Sequence, residues 1–132
     1  MSILNPFSNP STPSVSLDVY STEEKRIGTW IDGKPLYRKV ASFTTLGTKV
    51  EGAVYTFDAN MNVVQYGGYF NSGSNNKLPL CFFGDAESYA VGYVNDTQHA
   101  FYMKISHTNY ANKPGVLILE YTKTTDEPET TT

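Results

Sequence analysis

The stretch Arg26-Ile27-Gly28-Thr29-Trp30-Ile31-Asp32-Gly33-Lys34-Pro35-Leu36-Tyr37-Arg38-Lys39-Val40 decides the fold class. Two runs rich in β-branched and aromatic residues flank Asp32-Gly33. That pair suits a two-residue type I′ turn, whose central positions both need positive φ and whose twist matches that of paired strands. The stretch therefore reads as a β-hairpin. Pro35 stands near a strand start, where a missing amide donor is tolerated. Trp30, the single tryptophan, reads as an anchor of the core, with a subunit contact as its alternative role.

Outward from the hairpin, further strands follow at spacings of about ten residues. Lys49 to Phe57 and Asn62 to Phe70 are the next two, and the second runs into the polar loop Asn71-Ser72-Gly73-Ser74-Asn75-Asn76. Leu78 to Phe83 is short and wholly apolar. Ser88 to Val94 sets Tyr89, Val91 and Tyr93 against Ala90, Gly92 and Val94, and Ala100 to Ile105 places Phe101, Met103 and Ile105 on one face. Val116 to Lys123 closes the body. About eight short strands, with no sustained 3.6-residue periodicity, predict an all-β antiparallel sandwich or jelly roll. Val116-Leu117-Ile118-Leu119 and Leu78 to Phe83 are apolar on both faces, so each is expected to be covered on two sides, a hint of oligomerisation.

Composition divides the chain into three parts. Residues 1–16 carry Pro6, Pro10 and Pro13 among Ser and Asn, and proline forbids a helix or a central strand there. They read as an extended arm with a few apolar groups, Ile3, Leu4 and Phe7. Residues 17–123 form the sandwich, and residues 124–132 a polar, acidic tail. A chain of 132 residues fits one domain with one core. Its net charge of −3 works against a phosphate backbone as partner, so no nucleic acid is expected. Membrane insertion is not expected either, since no apolar run approaches the roughly 20 residues a spanning helix needs. The N-terminus lacks the basic and apolar regions of a cleaved leader. The single cysteine, Cys81, is expected to be a small buried hydrophobe.

Catalytic constellations are thin, and no catalytic residue, metal ligand or cofactor is expected. His99 and His107 lack the spacing of a metal-binding pair, and no Gly-x-Ser-x-Gly turn marks a nucleophile. A small hydrolase with a spatially assembled site is the weakest of the function classes considered. Asp85 and Glu87 read as a solvated turn, and Glu23-Glu24 beside Lys25-Arg26 as a mixed-charge surface. Asn95-Asp96-Thr97 reads as an Asx turn rather than a glycosylation acceptor. More pointed is the pairing of aromatics with amides in two loops. Tyr69, Asn71, Asn75 and Asn76 form one candidate binding set, and Asn109, Tyr110 and Asn112 the other. Aromatic faces beside amide donors and acceptors suit sugar rings or protein partners, so a carbohydrate-binding receptor module is the alternative function.

The segment Tyr20-Ser21-Thr22-Glu23-Glu24, with Gly28 to Lys39 after it, resembles a module of bacteriophage structural proteins found near the C-termini of tail-fibre and head-fibre chains. Glu120-Tyr121-Thr122-Lys123-Thr124-Thr125-Asp126 is similar to that family's close, so the resemblance covers about Tyr20 to Asp126. It implies a non-enzymatic virion structural protein made in the host bacterial cytoplasm. At the virion surface it would be a capsid decoration or short fibre-like module contributing to host attachment. Family members often carry the module after a longer shaft, whereas here only a short arm precedes it, which favours a compact surface protein. Ile3, Leu4 and Phe7 are expected to dock into a capsid or tail protein, with extended backbone pairing along a strand edge. A homo-oligomer, of which a trimer is one form, and a host glycan complete the expected partners.

Overall fold

The computed structural model describes residues 20–47, 51–73, 76–85 and 88–129. Ile3, Leu4, Phe7, Asn75 and Glu87, about which the sequence makes specific claims, lie outside them. Nine strands run in the order β1 (Lys25–Thr29), β2 (Pro35–Thr44), β3 (Glu51–Thr56), β4 (Met61–Asn71), β5 (Lys77–Pro79), β6 (Cys81–Asp85), β7 (Ser88–Asn95), β8 (Ala100–Ile105) and β9 (Pro114–Lys123). They form two antiparallel sheets, one ordered β1-β2-β9-β4-β5 and the other β3-β8-β7-β6. The all-β antiparallel sandwich expected from the sequence is the fold observed.

Alternation along the strands builds the core between the sheets. From the five-stranded sheet come Phe43, Phe70, Leu117, Leu119 and Tyr121; from the other come Ala90, Phe101, Met103 and Ile105. Phe43 and Phe101 meet across the gap with ring centroids 6.3 Å apart. A fully buried Phe or Leu stabilises the fold by roughly 1.5–3 kcal/mol, so these residues dominate its energetics. β9 sits between β2 and β4. Leu117 and Leu119 are buried, while Val116 and Ile118 are half-buried on the outer face of a central strand.

The hairpin is present, but its turn differs from expectation. The Gly33 amide donates to the Trp30 carbonyl at 2.9 Å, and the Trp30 amide donates to the Lys34 carbonyl at 2.9 Å. Only Gly33 of the pair has positive φ, at 88°, so the loop is three residues, Ile31 to Gly33, and not a type I′ pair. The Asp32 carboxylate accepts from the Lys34 amide at 3.0 Å, an Asx contact that local sequence favours over left-handed backbone at Asp32. Trp30 follows β1 at the mouth of this loop. It is half-buried beside the turn and does not join the core cluster, so the core-anchor expectation is corrected.

A second correction concerns Leu78 to Phe83. The run is two strands in different sheets, with buried Leu80 as the corner between them. The Gly92 amide donates to the Leu80 carbonyl at 2.8 Å and fixes that corner to β7. Both β5 and β6 are edge strands, so their outward residues face solvent. Cys81 is exposed rather than buried, and Phe83 is 64% exposed against Tyr89 at 5.6 Å.

The two ends of the described body are tied together. The Glu24 carboxylate accepts from the Tyr121 hydroxyl at 2.5 Å and the Lys123 ammonium at 2.6 Å, so it is part of a network and not a plain surface acid. Beyond β9, Tyr37 donates to Asp126 at 3.1 Å, the Glu129 amide donates to the Gly33 carbonyl at 2.7 Å, and Arg26 pairs with the Glu129 carboxylate. Part of the acidic tail thus lies back along the first hairpin.

Candidate functional site

The connection from β8 to β9 is where loop chemistry meets the core. His107 caps a 3₁₀ turn, Thr108–Tyr110, by accepting the Asn109 amide on Nδ1 at 3.0 Å. This holds Tyr110 inward. Its ring packs edge-on against Phe70 at 6.1 Å and Phe82 at 5.9 Å, and its hydroxyl shares a 2.7 Å hydrogen bond with Ser88 Oγ. Tyr110 is therefore a core residue at the base of the loop.

Thr45, one of the buried polar residues, locks this connection to the strand before it. Its hydroxyl donates to the Tyr110 carbonyl at 2.5 Å and accepts from the Lys113 amide at 2.7 Å, while its own amide donates to the Lys113 carbonyl at 2.8 Å. Lys113 is thereby held by both of its backbone polar groups to one residue of the core margin. Asn112, at φ 56°, makes the left-handed bend before it and donates its amide to the Leu46 carbonyl at 3.0 Å.

On the other side, the β4–β5 hairpin closes with the Ser72 amide donating to the Asn76 carbonyl at 3.0 Å. Between the two connections opens a cleft of about 450 Å³. Ser72, Asn76 and Leu78 line it from the hairpin and Phe82 from β6. Thr108, Asn109, Tyr110 and Lys113 line it from the β8–β9 connection. The volume falls in the range of small-ligand sites. Aromatic carbon forms its base, and hydroxyl, amide and ammonium groups form its rim. Such a mixture can stack on the apolar face of a ring while hydrogen-bonding the groups around it.

Of the residues singled out in the sequence, Asn76, Asn109 and Tyr110 are brought together in this cleft. Tyr69, Asn71 and Asn112 are not. Tyr69 alternates with inward Phe70 along β4 and lies under the Lys77 ammonium at 5.0 Å; Asn71 pairs with Lys77 at the strand end; Asn112 serves the bend. Ser72, Leu78, Phe82, Thr108 and Lys113 carried no signal in the sequence, because nothing local distinguishes a rim residue from a turn or strand residue.

Two further residues singled out in the sequence, His99 and Asn95, have structural roles. His99 occupies a left-handed position, at φ 53°, in the β7–β8 turn, with its ring edge-on to Phe57 at 6.5 Å. The Asn95 side-chain oxygen accepts from the Thr97 and Gln98 amides at 3.1 and 3.0 Å, the Asx turn expected there. Among the described residues no helix is long and apolar enough to cross a membrane. Comparison of the chain with protein-family models, with curated proteins and with solved structures finds no match.

Proposed function

We propose that this domain is a non-catalytic recognition module displayed on a bacteriophage virion, and that the cleft between the β4–β5 hairpin and the β8–β9 connection receives a sugar-like ligand of the host surface. One observation supports the recognition role above the others. Two loops far apart in sequence, each chosen for its aromatic and amide content, supply Asn76, Asn109 and Tyr110 to one cleft with an aromatic base. The virion setting rests on the resemblance of Tyr20 to Lys39 to phage fibre modules. In that setting Ile3, Leu4 and Phe7 anchor the domain to a capsid or tail protein.

Binding of the purified protein to an array of bacterial surface polysaccharides tests the recognition role. Retention of at least one polysaccharide, weakened roughly tenfold in Asn109→Ala, is expected for loss of one or two hydrogen bonds to a ligand. Retention equal in the parent and in Asn109→Ala and Asn76→Ala would contradict it. Deleting residues 1–14 tests the setting separately: incorporation into particles is lost while polysaccharide retention persists. Normal occupancy of arm-less protein on particles would show that the body, not the arm, provides the anchor.

A further inference from the structure

The charge around the cleft carries the ligand class one step further. Among the described residues its lining contains one ionised side chain, Lys113, and no carboxylate. Elsewhere in the described residues four bases are paired with carboxylates. Lys25 lies 3.6 Å from Glu23, Arg38 lies 3.0 Å from Glu120, Lys123 lies 2.6 Å from Glu24, and Arg26 pairs with Glu129. Lys113, like Lys34, Lys39, Lys77 and Lys104, has no such carboxylate partner among the described residues, and of these five it alone lines the cleft.

Its position is also fixed. Both backbone polar groups of Lys113 bond to buried Thr45, so the root of the side chain is held at the cleft wall and only its own torsions remain free. Three residues with neutral polar side chains share the lining with it, Asn109, Asn76 and Thr108. The site thus offers one positive charge, several neutral donors and acceptors, and an aromatic base. We infer that the cleft selects a sugar unit bearing a negative charge, a carboxylate or a phosphate, with Lys113 as its counter-ion and Asn109, Asn76 and Thr108 as partners for hydroxyl groups. A neutral ring fills the same space but leaves the ammonium without an anion. This inference rests on the recognition role proposed above and specifies its ligand.

Charge selection of this kind is modest at a solvent-accessible site. One exposed pair contributes a factor on the order of fivefold in affinity, and salt screens it.

The experiment follows the backbone amide signals of Asn76, Asn109 and Lys113 during titration with glucuronate, glucose 6-phosphate and glucose, in the full chain and in Lys113→Met. Expected are shifts at these residues that saturate at about fivefold lower concentration for at least one anion than for glucose, with the difference abolished in Lys113→Met and weakened by 0.5 M salt. A Lys113→Arg variant keeps the difference, which separates charge from shape. Preference for glucuronate alone, or for the phosphate alone, identifies which anion the cleft takes. Glucose binding as tightly as both anions, or an anion preference that survives Lys113→Met, overturns the inference and leaves the recognition role standing. If none of the three sugars shifts these signals while the variants unfold like the parent, the inference falls, and the recognition role then rests on the polysaccharide array alone.

Discussion

The Thr45 hydroxyl donates a 2.5 Å hydrogen bond to the Tyr110 carbonyl, and so joins the strand leaving the first sheet to the turn that forms one wall of the cleft. The same oxygen accepts from the Lys113 amide at 2.7 Å. At 3% exposure, Thr45 leaves no room for water to replace these bonds. Thr45→Val keeps the shape and removes the hydroxyl that serves both groups, leaving a buried carbonyl and a part-buried amide unpaired. The expected loss is about 1–3 kcal/mol by chemical denaturation. An unchanged midpoint would mean that the two groups find other partners and that the wall is not set by Thr45.

Gly68 and its neighbour Gly67 make a paired test of how closely β4 approaches β9. Gly68 has φ 141°, and a Cβ there would stand 2.0 Å from the Val116 carbonyl oxygen, whereas a Cβ at Gly67 would meet nothing within 4 Å. Gly68→Ala combines an unfavourable backbone region with a collision against backbone that is itself hydrogen-bonded. It is expected to cost more than about 3 kcal/mol or to prevent folding. Gly67→Ala is expected to stay within about 1 kcal/mol of the parent. Equal thermal unfolding of the two variants would contradict the register of β4 on β9.

How much of this was legible in the sequence follows from how local each signal is. The Ala100–Ile105 strand is read correctly because alternation of Phe101, Met103 and Ile105 against Tyr102 and Lys104 is complete within six residues. Leu78 to Phe83 is misread because an apolar run looks the same whether it lies in one buried strand or turns a corner between two sheet edges. Only the pairing of Leu80 with Gly92 separates the cases. Cys81 and Phe83 are exposed for that reason. Trp30 lies outside the core cluster, at the mouth of a three-residue loop that the Asp32-Gly33 pair does not distinguish from a two-residue one. In the cleft, the aromatic and amide content of Asn76, Asn109 and Tyr110 is visible, but Lys113 is legible only once the fold sets it against Thr45.

Stability is expected to depend on pH through Glu24 and Lys123. Burial opposes ionisation of Glu24, but the hydrogen bonds from Lys123 and Tyr121 and the charges of Lys123 and Lys39 together outweigh it and hold the carboxyl below its ordinary 4.5. A carboxyl lowered on folding contributes stability that is present above its unfolded pKa and is lost as pH falls through the folded one. Lys123 is raised above 10.5, chiefly by its hydrogen bond to Glu24, so its contribution is present below that value and lost as pH climbs through the raised one. The pair therefore supports the fold across neutral pH and fails first on acidification below about 4.5. Glu24→Gln should give a shallower acid limb in a plot of midpoint temperature against pH. Parallel curves for parent and variant would show that the contact contributes nothing to stability.

The most direct measurement of the central claim, that the cleft is the recognition surface, is to map where a host polysaccharide touches the protein. Fragments of a polysaccharide retained by the parent chain are titrated into it while the amide signals of the whole body are followed. Perturbation is predicted at Ser72, Asn76, Thr108, Asn109 and Lys113, with β7 and the first hairpin unmoved. Shifts confined to another surface, such as the exposed Phe83 and Tyr89 side of the second sheet, would contradict it.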